Sequence, residues 1–425
     1  MASDDIVVGL DIGTSKIATI IGNTWQSDPE KIEIVGVGKS PSEGLRKGVV
    51  VDIEKTTASI RESVKEAETM AGVQVGSVYA GIAGGHIMGH TSEGVVAVAG
   101  EGHEITKSDV DRAINTAKAT ATPVDREVIH VLPQDFSVDE QEGIKHPIGM
   151  SGIRLQANVH IITGAVASVQ NLLKSVNNAG LSVEDIVLEP IASADSILSI
   201  DEKSVGVTLA DMGGGTTDIV IYQEDALRHT KVISVGGDHV TNDIAQVLRM
   251  TPYDAEILKR RKGCALADLI ESHEKIQPPT VSGMPATVNS SGRMQRPRLI
   301  DRQHLAEIVQ CRMEETLNII HNEIASFKVS TPAGLVLTGG TSLISGLLEL
   351  AHERLPYPVR IGYPKPLKGL SAHVNSPIFA TGVGLVMYGT RMRQSTEGVR
   401  QFMKPGDNLF EQILQRMKVW FSEYF

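Results

Sequence analysis

One short pattern occurs twice in this chain, and the repetition limits the available folds more than any other feature. Val8-Gly9-Leu10-Asp11-Ile12-Gly13-Thr14-Ser15 lies over Thr208-Leu209-Ala210-Asp211-Met212-Gly213-Gly214-Gly215-Thr216-Thr217. Each copy has an apolar strand, an Asp at its end, a Gly-rich turn with hydroxyls, and a second apolar strand, Ile17 to Ile21 or Ile219 to Tyr222. Such a repeat implies duplicated architecture. Two units of this kind can face each other across a cleft, each offering one carboxylate and one set of backbone N–H groups.

Those parts suit a polyphosphate. Phosphates need N–H donors that approach closely, which glycine permits, together with hydroxyls and a metal whose waters are held by carboxylates. The spacing therefore predicts a nucleotide site built from Asp11, Gly13, Thr14, Ser15 and Lys16 on one side and Asp211, Gly213, Gly214, Gly215, Thr216 and Thr217 on the other. Asp11 and Asp211 are expected to hold a hydrated Mg²⁺. Either loop alone reads more simply as a hairpin turn; the duplication reverses those odds. A third glycine pair, in Thr338-Gly339-Gly340-Thr341-Ser342, follows the strand Gly334 to Leu337 and is expected to open a helix from Leu343 to Arg354. Gly339, Gly340 and Thr341 can let a base or sugar lie against the main chain, with the helix start near the α-phosphate. The helix beginning Thr251-Pro252 carries Glu256 and Lys259 on one face, positioned for ribose hydroxyls, although an ion pair is the commoner use of that spacing.

Length and composition agree with two or more packed units. The chain has 425 residues, more than one hydrophobic core usually serves, and its 41 glycines against 18 prolines suggest tight turns rather than disorder. A net charge of -11 argues against a nucleic-acid scaffold. The opening MASDDIVV carries acids where a secretory signal has bases, and no apolar run is long enough for a bilayer, so a cytoplasmic location is expected. Cys264 and Cys311 stand far apart without metal-binding spacing, which predicts two ordinary thiols.

Three strand-like runs open the chain, Ile6 to Leu10, Ile17 to Gly22 and Ile32 to Val37, followed by a helix with apolar residues at three-to-four spacing from Ile53 to Ala71 and a strand from Val75 to Gly81. Between the repeats, His86 to Thr163 has signals of its own, with a capped helix from Thr106 to about Lys118 and strands at Glu127 to Val131 and Leu155 to Ile162. It reads as an inserted small domain. A second insertion, Val240 to Phe327, contains a Pro/Gly-rich stretch and a helix from near Asp301.

Asp11 to Lys16, Asp211 to Asp218 and Leu337 to Gly346 resemble the two phosphate motifs and the adenosine motif of the actin/Hsp70/sugar-kinase superfamily, while Val187 to Leu198 and Ala380 to Met387 resemble its hinge segments. The inserted segment is narrower in its likeness. His130-Val131-Leu132-Pro133-Gln134, His146 to Gly152 and Asn158 to Thr163 resemble the distinctive subdomain of the FtsA family, the actin homologues of bacterial cell division, and the likeness runs essentially end to end.

That resemblance implies an α/β, actin-like fold with duplicated ribonuclease H-like halves. It divides the chain into 1–85 and 164–200 (subdomain 1A), 86–163 (the inserted 1C), 201–239 and 328–379 (2A), 240–327 (2B), and a return helix 380–394. It also implies ATP with Mg²⁺, polymerisation into filaments, later division proteins as partners, and docking of the C-terminal peptide of the tubulin-like FtsZ on the second insertion. Arg293, Arg296, Arg298 and Arg302 form a basic run there, suited to an acidic peptide. Glu189, before Pro190, is the one residue of the first hinge that could orient water, so at most slow ATP turnover is expected.

The chain's end is unlike its body. Of seven Phe, seven Tyr and two Trp, six fall in 402–425. After a linker at 395–407, helical spacing of roughly 100° per residue gathers Leu409, Phe410, Ile413, Leu414, Met417, Trp420, Phe421, Tyr424 and Phe425 within an arc of about 160°. The stretch 408–425 is therefore expected to be an amphipathic helix lying in a membrane's headgroup layer. The resemblance places it on the cytoplasmic face of the cell membrane at the division site. A kinase of the superfamily has no use for such a helix, and too little chain follows the second hinge for a chaperone's substrate domain. A pilus-assembly actin-like protein, with similar nucleotide motifs and insertion, is the remaining alternative.

Overall fold

The two copies of the repeated pattern become the central strands of two sheets with one topology. The computed structural model describes residues 6–25, 28–99, 101–121, 123–271, 273–277, 299–327 and 329–397. In the first sheet Ile6–Ile12 pairs antiparallel with Lys16–Trp25, which pairs with Asp28–Pro41; on its other side it runs parallel to Ser77–Ile82 and then Ser182–Leu188. In the second, Val207–Met212 takes the same place among Thr217–Gln223, Ala226–Ile233, Leu335–Thr338 and Val359–Ile361. The central strands read as nearly continuous apolar runs because both faces are covered. Val8, Leu10 and Ile12 share a core with Ile60 and Val64 of helix Ile53–Ala71, whereas Val7 packs among Val383, Leu385 and Val386 of helix Ala380–Glu397. Full burial of each such side chain contributes about 2 kcal/mol.

The expected meander is present, with longer strands than the apolar runs alone suggest. Helix Ile53–Ala71 has the expected limits because its ends are chemically marked. The Asp52 side chain accepts from the Lys55 N–H, and Gly72 closes the helix in the left-handed region at φ 68°.

The inserted segment builds a separate four-stranded sheet, Met88–Ala97, Arg154–Ala165, Arg126–Val138 and Gln141–Ile144, covered by helix Lys107–Ala121. Ile105, Ile114, Phe136, Leu155 and Ile161 fill its own core. Although joined by chain to the first half, it also touches the second. Gln134 donates to the Leu227 carbonyl at 2.7 Å, Arg228 pairs with Asp135 at 2.6 Å, and His160 meets the Thr230 hydroxyl at 3.0 Å.

The second insertion supplies helices Gly237–Leu248, Pro252–Lys262 and Arg302–Phe327. Its Pro/Gly-rich stretch, with Arg293, Arg296 and Arg298, lies outside the described residues, as does the expected amphipathic helix from Leu409 to Phe425.

Two helices join the halves: Glu189–Ile197, which follows the last strand of the first sheet, and Ala380–Glu397, which returns from the second. They cross with main chains in contact, since a Cβ built on Gly384 would stand 1.8 Å from the Ala192 carbonyl oxygen. Buried Asp195 on the first helix pairs with Arg391 on the second and, at 2.7 Å, with Lys203. Burial alone would raise the Asp195 carboxyl; the two cations more than offset it and hold it well below the carboxylate range.

One expected element is divided. In place of a helix from Leu343 to Arg354 there is a 3₁₀ turn, Gly340–Leu343, and a helix Leu347–Arg354. The intervening segment is drawn into pairing, with the Ala265 N–H donating to the Ser345 carbonyl at 2.7 Å, and Gly346 turns the chain at φ 76°. The helix start assigned to the α-phosphate is therefore a short turn.

Candidate functional site

Between the halves lies a cleft of about 1000 Å³. Both repeats place the same turn at its floor: the Gly13 N–H donates to the Lys16 carbonyl at 3.0 Å, and the Gly213 N–H to the Thr216 carbonyl at 2.9 Å. The turns abut. A Cβ on Gly214 would lie 3.0 Å from that of Ser15, and one on Gly215 would lie 2.8 Å from the Thr14 hydroxyl. A side chain at either position would have to push the facing turn back.

Each turn is fixed from behind. Thr14 accepts from the Gly48 N–H at 3.0 Å. The Gly213 carbonyl accepts from the Thr341 hydroxyl at 2.8 Å and the Gly237 N–H at 3.0 Å, and the Gly214 carbonyl from the Asp238 N–H at 2.8 Å. Gly339 must be glycine, since at φ 82° a Cβ would stand 2.4 Å from Asp211 Oδ1. The site of a Cβ on Gly340, by contrast, has only Ile378 as near as 4.0 Å, leaving a flat stretch of main chain open to a ligand. Lys259 pairs with Glu256 at 2.6 Å and donates to the Gly237 carbonyl at 3.0 Å, and both side chains line the cleft. The ion pair and the cleft position thus coexist.

Not every expected residue faces the cavity. Thr217 is fully buried, and its hydroxyl donates to the Val235 carbonyl at 2.8 Å. Strand alternation turns it from the side on which Asp218 lines the cleft. Gly215 is enclosed between Thr14 and Lys47. Arg302, expected on a peptide-binding face, stands at the cleft's rim, paired with Glu274 at 2.7 Å.

Asp11, Glu189, Asp211 and Asp218 are four of the carboxyl groups that line the same cavity, together with Asp238 and Glu256. Asp11 has a charged partner in Lys16. Among the described residues Asp211 is hydrogen-bonded by hydroxyls alone, Ser193 at 2.6 Å and Thr381 at 3.3 Å, both on Oδ2, with the Lys16 charge acting on it without a direct contact. Glu189 Oε1 and Asp218 Oδ1 are buried with no hydrogen-bond partner among the described residues. Burial, then the charge of Asp211, pushes Asp218 up to about 7, while burial and the neighbouring Asp11, Asp218 and Asp211 raise Glu189 well above the glutamate range. Asp211 is also raised, chiefly by burial. Stranded acid of this kind calls for a cation. Among the described residues no three His, Cys, Asp or Glu side chains converge tightly enough to hold a bare ion, so a cation fits with its waters between it and the carboxylates.

Several lining residues went unassigned in the sequence. Asp218 sits within the quoted motif, immediately after its two threonines, and could have been found there. Tyr253 and Arg260, beside Glu256 on helix Pro252–Lys262, share its face of the cleft. Thr381, which also lines the cleft, and the buried Ser193, which holds Asp211 from outside that lining, carry no local signal.

The duplicated sheets and the facing turns define an actin-like protein with a nucleotide-binding fold. Solved structures agree on the fold: the PilM–PilN type IV pilus biogenesis complex gives a TM-score of 0.64 at 16% identity, covering 90% of this chain and 98% of that one. The ethanolamine utilization protein EutJ of Carboxydothermus hydrogenoformans gives 0.51 at 17%, covering 90% and 89%. The family model of the cell division protein FtsA matches residues 208–384, and that of the SHS2 domain inserted in FtsA matches 84–163. FtsA of Pseudomonas aeruginosa is 44% identical over 100% of this chain and 99% of its own, and that of Neisseria meningitidis 40% over 98% of each. FtsA of Bacillus subtilis is 35% identical over 99% of this chain and 90% of its own. The chain belongs to the FtsA family and is an actin-like cell-division protein. The pilus alternative shares only the fold.

Proposed function

We propose that this protein binds ATP with Mg²⁺ in the cleft, polymerises in that state on the cytoplasmic face of the cell membrane at the division site, and tethers FtsZ filaments there. The observation that carries the nucleotide reading is the meeting of two glycine turns, each with an Asp at its strand end, beside buried oxygens of Glu189 and Asp218 that have no hydrogen-bond partner among the described residues. Bound Mg²⁺ would neutralise phosphate charge. Asp11 and Asp211 would accept hydrogen bonds from its waters, the turns of Gly13 to Lys16 and Gly213 to Thr216 would cradle the phosphates, and Glu256 and Lys259 would reach the ribose. Gly339, Gly340 and Thr341 would lie along the nucleoside.

Glu189 would be the group that orients water, and slow turnover is expected of it; in the nucleotide-free cleft, burial and the neighbouring Asp11, Asp218 and Asp211 raise its carboxyl well above the glutamate range. ATP then serves mainly to set the angle between halves and hence the filament.

Among the described residues no helix is long and apolar enough to cross a membrane. Attachment through the amphipathic stretch at 408–425 fits a peripheral protein. One such helix binds lipid weakly, and filaments strengthen attachment by presenting many at once. The subdomain limits given above, FtsZ-peptide docking on 240–327 with Arg293, Arg296, Arg298 and Arg302, and recruitment of later division proteins belong to the same reading.

Electron microscopy of the purified protein with ATP on an anionic lipid monolayer is the direct test, and membrane-bound filaments are expected. Their absence, with ATP binding intact, would remove the polymerisation claim. Trp420→Glu should abolish liposome sedimentation; co-sedimentation at the wild-type level would move the anchor elsewhere. Arg302→Glu should weaken FtsZ-peptide binding in fluorescence anisotropy, with ATP affinity followed in parallel because Arg302 borders the cleft.

A further inference from the structure

Asp211 projects from the second sheet, but the groups that hold it come from the two crossing helices. Ser193 is fully buried on Glu189–Ile197, and Thr381 is buried on Ala380–Glu397. Their hydroxyls lie 3.0 Å apart, and both reach Asp211 Oδ2. The junction is locked further by Ser196, whose hydroxyl donates to the Ala380 carbonyl at 2.8 Å. Asp211 Oδ1 takes no part in this and lies against Gly339, where only a missing side chain leaves room for it.

We propose that Ser193 and Thr381 are positioning residues for the metal. They pin one oxygen of Asp211 so that the other is presented to a hydrated divalent cation, and they make that presentation depend on how the two helices cross. This rests on the reading of the cleft as a Mg²⁺–nucleotide site. A hydroxyl suits the task better than a lysine would. It fixes the carboxylate's orientation without neutralising it, so the full negative charge remains for the cation's waters. Because Ser193 and Thr381 stand on different helices, rotation of one half against the other changes the geometry of both bonds together. Metal affinity and cleft angle become one equilibrium, and each must bias the other by the same free energy.

The test is nucleotide affinity of the full chain, measured by calorimetry in Mg²⁺ and again in EDTA, for wild type, Ser193→Ala, Thr381→Val and the double variant. Each single change is expected to lower the Mg²⁺-dependent gain in ATP affinity about 10-fold, the scale for outer-shell partners of a metal ligand. The affinity in EDTA should stay within about twofold of wild type, and Thr381→Ser, which retains the hydroxyl, should behave as wild type. Equal losses with and without Mg²⁺ would mean that the hydroxyls only pack the junction, and a full Mg²⁺ gain in the double variant would likewise overturn the proposal. A wild type indifferent to Mg²⁺ would sink the metal reading of the cleft and this inference with it. A wild type that responds, with variants that respond equally, sinks the inference alone.

Discussion

The two halves of this protein share a sheet topology and a turn, yet treat the aspartate at the strand end in opposite ways. In the first half Lys16, five residues on, pairs with Asp11. In the second the corresponding place in the turn holds Thr216, and among the described residues Asp211 is hydrogen-bonded only by neutral hydroxyls from distant helices. Duplication has thus produced a division of labour. One aspartate is balanced locally. The other lies beside Asp218 and Glu189, whose carboxyls are pushed toward the protonated form by burial and by their acidic neighbours. That side of the cleft therefore gains its full charge only with a cation bound between the halves, and that asymmetry is open to attack by mutation.

The largest effect is expected at Asp218. With its carboxyl raised from the usual 3.8 to about 7, the folded, nucleotide-free protein holds a proton that the unfolded chain releases. That stability is fully present below pH 4 and is lost as pH rises through 7, up to about 4 kcal/mol for roughly three units. Urea unfolding in EDTA should therefore show wild type losing ground to Asp218→Asn across that window. A pH-independent difference would deny that the second half stores uncompensated acid. Next, Asp211→Asn should cost about 100-fold in Mg²⁺–ATP affinity, the upper end for outer-shell metal partners, and Asp11→Asn about 10-fold. Equal losses would erase the asymmetry.

Lys16→Met strips Asp11 of its ion pair and should lower nucleotide-free stability by about 2 kcal/mol, less than for a fully enclosed pair because the cleft is open. A variant as stable as wild type in chemical denaturation would show that water suffices there. One change favours neither half and tests the joint itself. Gly384→Ala drives a methyl to 1.8 Å from the Ala192 carbonyl oxygen, a backbone atom that cannot swing aside, and should cost about 3 kcal/mol or more, of which alanine's better helix propensity returns only about 1 kcal/mol. Calorimetric melting measures it, and a gain in stability would mean that the helices can separate without penalty.

What the sequence disclosed was what local chemistry determines. Helix Ile53–Ala71 was legible to the residue because its period, its Asp52 cap and its Gly72 stop coincide, and the paired turns were legible because a repeat multiplies a weak signal. Contacts between distant segments were not. Nothing near Ser193 or Thr381 announces that they meet across 188 positions. The helix expected from Leu343 failed for the same reason: its propensity was adequate, but Ser345 is engaged by Ala265 of another segment. Thr217 misled differently, since the hydroxyls of the second turn look alike until strand alternation sends one inward and leaves its neighbours at the cleft.

The crossing at Gly384 and Ala192 has a mechanical consequence. Where side chains separate two helices, the layer between them can shear, and one rod slides along the other by trading rotamers. Here the backbones touch, with no compliant layer to absorb translation. Such a joint behaves as a bearing without clearance, free to pivot and poor at sliding. Relative motion of the halves reduces to nearly one coordinate, an angle, and any event in the cleft is broadcast to the far edges of both sheets as a lever would carry it, growing with distance from the pivot.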